Sequence, residues 1–402
     1  MPVKVLIIGA GIGGPSLAFW LSRLPYSVTI LERHPDLRAN GQQIDIRGQG
    51  VTTMRYMGIE SAVRSKVVDE EGFQLVNSAG QPQAVLLPNK SGKGKQSFTS
   101  EFEIMRGDLL DGDEGVKVAF KDGTEEVFDL VVGADGDHSK TRRIILGPEA
   151  PEPFRSLGCY VCYFTCPRNE SDSKYATIYH AVGSRIMVTR ADNPKTIQVY
   201  MTVLTTGKGA GIVGRAIRNR KAGMKEQKKA WAEAFKDAGW QAERLIDALL
   251  NDPVAKDFYT HEIGQVRMKS WSKGNITLLG DAGYCPTPVT GFGTSLALVG
   301  AYVLAGELAK QTKEDGTVDI HAALEGYDKT LRPLVDEVQK ISPFVPSIAY
   351  PRTWWGIKIF QTLIWLWTVF KLDKLVSTFG SDDVGTWRLP DYQGLRPAKR
   401  CF

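Results

Sequence analysis

The sequence predicts an α/β protein in which a parallel-sheet domain is interrupted by an inserted antiparallel β-sheet and followed by a C-terminal helical segment. Three features carry this. A β-branched run from Val3 to Ile8 ends in glycine, then helical spacing from Pro15 to Leu24 leads to a second apolar run from Val28 to Leu31, a βαβ opening. Between about 155 and 205 the runs Tyr160 to Thr165, Ile186 to Thr189 and Ile197 to Leu204 alternate, as antiparallel strands with one solvated face do. Far down the chain a buried strand, Ile276 to Leu279, meets Gly280-Asp281, and after a Pro/Gly-rich loop a small-residue helix runs from about Thr294 to Leu308. The first domain therefore resumes late.

Between these landmarks the pattern changes character. From Gly72 it loosens into short strands, the turn Ser78-Ala79-Gly80 and a Gly/Lys-rich loop at Ser91 to Gly94. Val116 to Phe120, the turn Lys121-Asp122-Gly123-Thr124 and Val127 to Val132 read as a hairpin that runs into Gly133-Ala134-Asp135-Gly136. Lys225 to Leu250 is helical with a break near Gly239. The division is then 1–72, 101–155 and 265–345 for the parallel-sheet domain, 73–100 and 156–264 for the β-rich domain, and 346–402 for an apolar helix and tail.

At 402 residues, with 43% hydrophobic and 24% charged side chains, the chain can bury large cores, which excludes wholesale disorder. Fifty basic against 45 acidic residues give +5, spread too thinly to indicate nucleic acid. Cys159, Cys162 and Cys166 cluster, but His34, His138, His180, His261 and His321 stand singly and complete no ligand spacing, so no metal is expected. Free thiols suit a reduced cytoplasm, and the opening residues read as a buried strand rather than a secretion signal.

Gly9-x-Gly11-x-x-Gly14, with Gly13 inside it, sits between strand and helix. Glycines there permit a tight turn and bring a pyrophosphate to a helix N-terminus with its partial positive charge. Glu32 ends the next strand 18 residues past Gly14, where a carboxylate can accept from an adenosine ribose. Asp281, at a strand end, can hold a polyol hydroxyl or cap a helix. Asp135-Gly136 can bind a ligand or simply turn the chain. Pro288-Val289-Thr290-Gly291-Phe292-Gly293 opens a helix at Thr294 whose first N–H groups favour negative charge.

Gly9, Gly11, Gly14 and Glu32, then Asp135-Gly136, then Gly280-Asp281 through Pro286, stand in the order found in flavoprotein monooxygenases of the p-hydroxybenzoate hydroxylase type, which the chain resembles along nearly its whole length. Gly280-Asp281-Ala282 and Pro288-x-x-Gly291-x-Gly293 are most similar to the branch holding tetracycline-inactivating and secondary-metabolite hydroxylases. The resemblance implies a Rossmann-like FAD-binding domain with an inserted substrate domain. It implies FAD and NAD(P)H as cofactors, and dioxygen and an aromatic or polyketide-like molecule as partners, with oxygen passing through a flavin C4a-hydroperoxide. It adds Arg33 and Arg106 as cofactor contacts and sets Asp135-Gly136 near both nucleotides. Arg142 and Arg143 then add phosphate-binding charge or form a solvated helix face. No catalytic base is identified.

Two departures stand out. Ser295 and Gly300 occupy places where the family often has Asn and Asp. Arg106 and Val116 are separated by nine residues, where the family continues through a helix and a strand. About 25 to 30 residues are thus absent, by average element lengths. This leaves three readings: a hydroxylase with a rebuilt connection, an epoxidising or Baeyer–Villiger relative, and a catalytically impaired flavin-binding protein. The stretch Trp354 to Phe370 is apolar and Trp-rich but holds Lys358 and Gln361, and it falls short of the about 20 residues of a span. Packing on the two domains, contact with a membrane surface and a true span are all open to it.

Overall fold

A computed structural model of the chain describes residues 2–33, 43–67, 70–87, 103–105, 127–191, 193–219, 221–342, 348–370 and 386–395. Strand β1 (Val3–Ile8) leads into helix α1 (Gly13–Leu21) and strand β2 (Tyr26–Leu31), which pairs with β1 in parallel from Val3 opposite Tyr26 to Ile8 opposite Leu31. Next come β3 (Gln43–Asp45), α2 (Gln49–Met57), α3 (Glu60–Ser65), β4 (Phe73–Val76), β5 (Pro82–Leu86) and β6 (Glu103–Met105), with β3 and β6 forming a small antiparallel pair. Strand β7 (Leu130–Gly133) returns to the other side of β1, again parallel, and α4 (Lys140–Leu146) follows it.

The second sheet is built from β8 (Phe154–Pro167), β9 (Ala176–Ala181), β10 (Arg185–Ala191) and β11 (Thr196–Leu204). Helices α5 (Ala210–Arg218), α6 (Met224–Phe235) and α7 (Ala242–Asn251) then cover one face before β12 (Tyr259–Val266) closes its far edge. The break expected near Gly239 is real: that residue adopts φ +82° between α6 and α7. The sheet order is β12-β8-β11-β10-β9-β4-β5, antiparallel throughout except where β4 runs parallel to β9. Alternation along β8 sends Tyr160, Cys162, Phe164 and Cys166 into the helix-covered core and Cys159, Val161 and Tyr163 to the opposite face. Strand pleating therefore separates Cys159 from Cys162 and Cys166, and burial pushes the Cys159 and Cys166 thiols up to about 11.

The first sheet then resumes, as the late Gly-Asp strand predicted. Strands β13 (Ser272–Lys273) and β14 (Ile276–Leu278) complete the order β13-β14-β7-β1-β2, followed by α8 (Asp281–Tyr284), α9 (Gly293–Lys310) and α10 (Ile320–Val338). Helix α9 is apolar over most of its circumference because it is enclosed, packing on α1, α2 and α10, with Glu307 its buried charged exception. The segment 116–126 of the expected hairpin lies outside the described residues; its continuation appears as β7.

The C-terminal part returns to the second sheet and to α9. Helix α11 (Trp354–Val369) packs along β5, and Tyr350 just before it donates to Thr202 Oγ1 of β11 at 3.0 Å. Residues 386–395 instead lie on α9, where Tyr392 donates to the buried Glu307 carboxylate at 2.6 Å. A Cβ on Gly306 would come within 2.1 Å of the Tyr392 ring, so that site has room for the tail only as glycine.

His180 in β9 is sealed beneath the approach to α11, with Nε2 donating to the Ala349 carbonyl at 3.1 Å and Nδ1 buried without a partner. Burial pushes its pKa down from 6.5 to about 4. The unfolded ring takes a proton that the folded ring refuses, so stability is complete above about pH 6.5 and falls as pH drops toward 4, by up to about 3 kcal/mol. Denaturation midpoints across this window should show that limb, and His180→Gln should flatten it; an unchanged pH profile in the variant would contradict the assignment.

Candidate functional site

Three turns meet at the C-terminal ends of β1, β7 and β14. Gly9 adopts φ +110°, and a Cβ there would lie 2.5 Å from the Ala134 carbonyl oxygen; one on Gly14 would lie 2.0 Å from Gly9 O. Gly13 and Gly280 both face Ala297 of α9, with Cβ positions 3.9 and 3.5 Å away. The first and third motifs therefore adjoin, and the second touches the first through Ala134-Asp135. Helix α1 begins without a side-chain cap or an acidic residue in its first turn, and α9 begins the same way. Each leaves backbone donors at the site available to an anion.

The predicted residues divide by what they already hold. Glu32 folds back over the glycine turn, where Ala10 N–H donates to its Oε2 at 2.8 Å; Gly11 is half-buried beside it and Arg33 is exposed. Asp281 is exposed at the start of α8, with Oδ1 3.9 Å from the Cβ position of Gly293, so its carboxylate looks across to the N-terminus of α9. Pro288 is exposed, Gly291 takes φ +66°, and Thr294 is buried in the first turn of α9. Arg106 lies outside the described residues.

Asp135 is fully engaged inside the fold. Its carboxylate accepts from Ser139 Oγ (2.6 Å), Lys140 N (2.8 Å), Thr141 N (3.1 Å) and Thr141 Oγ1 (3.2 Å), capping α4, while Gly136 supplies φ +80° for the turn. Arg142 forms neither phosphate-binding charge nor a solvated face. It is buried and donates to the Asp137 and Ala282 carbonyls at 2.5 and 2.8 Å, locking the second motif to the third. Arg143 is half exposed and pairs with Glu152 at 2.8 Å.

Sequence reasoning missed the segment after β3. Asp45 pairs with Arg47 at 3.0 Å, and both lie against Gly291, whose Cβ would be 2.9 Å from Asp45 Oδ2. Asp45 Oδ1 and Thr287 Oγ1 are buried without partners, and Thr287 is held at φ +85°, a conformation that β-branched residues rarely adopt. The available signal was Thr287 itself, a β-branched residue between two prolines. Ser295 and Gly300 also acquire reasons: Ser295 Oγ accepts from Arg47 N at 2.8 Å, and Gly300 makes room for Tyr284, whose hydroxyl meets Tyr327 at 2.9 Å.

This arrangement fits a dinucleotide: a glycine cradle that any Cβ would fill, two uncapped helix N-termini and orphaned buried acceptors beside the second. The model of the FAD binding domain family matches residues 2–100 and 89–340. The chain belongs to the FAD-dependent monooxygenases. It is 37% identical to flavin-dependent monooxygenase eupH of a Phoma species, covering 98% of this chain and 99% of that one. It is 36% identical to FAD-dependent monooxygenase asL4 of Sarocladium schorii, with the same coverage. Among solved structures it is similar to tetracycline destructase Tet(51), with 28% identity, a TM-score of 0.74 and coverage of 98% of this chain and 100% of that one. The two alignments run over 433 and 434 positions, more than the 402 residues here, so this FAD-dependent monooxygenase carries deleted positions relative to those relatives.

With four interactions on its carboxylate, Asp135 should matter to stability before anything else. Asp135→Ala should lower the unfolding free energy of this flavoprotein by about 1–2 kcal/mol, the typical cost of losing a helix cap. Urea denaturation measures it, and an unshifted midpoint would mean that α4 does not depend on this cap.

Proposed function

We propose that this FAD-dependent monooxygenase uses NAD(P)H and dioxygen to hydroxylate an aromatic or polyketide-like small molecule. When bound, FAD supplies the redox chemistry, accepting a hydride and activating oxygen. The chain's part is to hold, orient and enclose. Gly9, Gly11, Gly13 and Gly14 admit the pyrophosphate to the N-terminus of α1, and Glu32, with Arg33 beside it, receives the adenosine ribose. Gly280 places Asp281 for a ribityl hydroxyl. Pro288, Gly291, Gly293 and Thr294 position the N-terminus of α9, whose dipole would stabilise negative charge on a bound flavin ring. Asp135 and Gly136 shape the turn between these sites, and Arg106 enters as a further cofactor contact by likeness to the family.

The observation that carries this reading is the meeting of two uncapped helix N-termini around a glycine turn with no room for a Cβ. The substrate's place is the face of the second sheet opposite its helices, where Tyr163, Tyr259 and His261 stack within 4.8 to 5.9 Å of one another and Tyr200 abuts Tyr163 edge-on at 4.9 Å. Such a wall suits a flat, apolar substrate and helps to exclude water. The chain's deletions relative to its relatives favour a second reading, a flavin-binding protein with impaired turnover.

Purified protein should release FAD and not FMN, and should consume NAD(P)H faster when phenolic or polyketide compounds are added, yielding a product heavier by one oxygen atom. Bound FAD without substrate-stimulated consumption would favour the impaired reading; an inserted oxygen in a ring lactone or epoxide would move the reaction class. Asp281→Ala should weaken FAD binding about tenfold, or about 1.4 kcal/mol, without changing the melting of the apoprotein. Unchanged affinity in a flavin titration would remove Asp281 from the site.

A further inference from the structure

Helix α11 is the element that the flavin chemistry does not absorb. Its inner face is anchored: Ile357 and Gln361 are buried, Gln361 Nε2 donates to the Val76 carbonyl at 3.3 Å, and the Phe360 ring lies 5.0 Å from that of His180. Much of the rest of its circumference faces solvent, with Trp354 70% exposed, Trp355 56%, Ile359 53%, Leu363 59% and Phe370 68%. The supporting strand β5 adds exposed Val85, and Leu87 follows it. A soluble surface rarely leaves so many large apolar groups together without a partner.

The charges around this face select the partner. From Ile341 to Leu372 the sequence has no Asp or Glu, and its charged residues are Arg352, Lys358 and Lys371. A second copy docking here would set cations against cations with no carboxylate from this stretch to answer them. A lipid surface of negative charge answers them directly, and tryptophan side chains favour the headgroup depth of a bilayer. Among the described residues no helix is long and apolar enough to cross a membrane, and the bond from Gln361 to Val76 keeps α11 alongside the sheet. We propose that α11 docks the protein on an anionic bilayer, lying in the plane of the interface. Trp354, Trp355, Ile359, Leu363 and Phe370 enter the headgroup boundary, and Lys358 extends to the phosphates.

The test is flotation of the FAD-loaded full chain with vesicles of equal parts phosphatidylcholine and phosphatidylserine, and with phosphatidylcholine alone, together with light scattering in the absence of lipid. The protein should float with the anionic vesicles at least tenfold more than with the neutral ones and should remain monomeric without lipid. Ile359→Glu combined with Leu363→Glu should abolish flotation while the flavin absorbance stays. Lys358→Gln, which leaves the apolar face intact, should reduce it severalfold. Absence of flotation, equal flotation with both vesicles, or a lipid-free dimer that the double variant dissociates would each overturn the proposal, the last by assigning the face to a second copy.

Discussion

Backbone must approach backbone at the carboxyl ends of the central strands, and the rest of the molecule is arranged around that steric requirement. Gly9 passes so close to the Ala134 carbonyl, and Gly14 so close to Gly9, that a single Cβ at either place would overlap a peptide group. This packing draws the first helix and the two later motifs to one edge of the sheet. Its consequence is a turn at the sheet edge with no room for a Cβ, beside two helix N-termini that carry no side-chain cap. A pyrophosphate would supply acceptors for such helix ends.

The polar side chains around this turn do two kinds of work. Asp135 and Arg142 are spent internally: one caps α4, and the other bridges the carbonyls of Asp137 and Ala282. Both hold the turns in register, so substitutions at either act first on the fold. Glu32, Asp281 and the Asp45–Arg47 pair stand at the rim. Thr287 completes the picture, because a strained backbone and an orphaned buried hydroxyl occur together in the loop that leads into α9. The C-terminal residues then fasten the assembly, with Tyr350 and Gln361 on the second sheet and Tyr392 on the first domain.

Much of this was legible in the sequence because it rests on local, periodic signals. The β1–α1–β2 unit, the late return at Gly280-Asp281, the alternating strands of the insertion and the break at Gly239 all follow from spacing and glycine chemistry. What could not be read is set by long-range contact. Whether Asp135 binds a ligand or a helix depends on where Ser139 and Thr141 fall in space, and the burial of Arg142 depends on Ala282, 140 residues away. The parallel pairing of β4 with β9 and the Asp45–Arg47 pair beside Gly291 have no local signature either. Ser295 and Gly300, which depart from the family's usual residues, have reasons only in three dimensions: one bonds to Arg47 and the other makes room for Tyr284.

The cradle at the sheet edge depends on Gly14, which lets the first helix start against Gly9. Calorimetric titration of FAD into the apoprotein, native and Gly14→Ala, tests it most directly. The variant is expected to lose at least about tenfold in affinity, since its Cβ must displace the turn proposed to receive the pyrophosphate. Equal affinity of the two proteins would contradict it and place the dinucleotide elsewhere on the molecule.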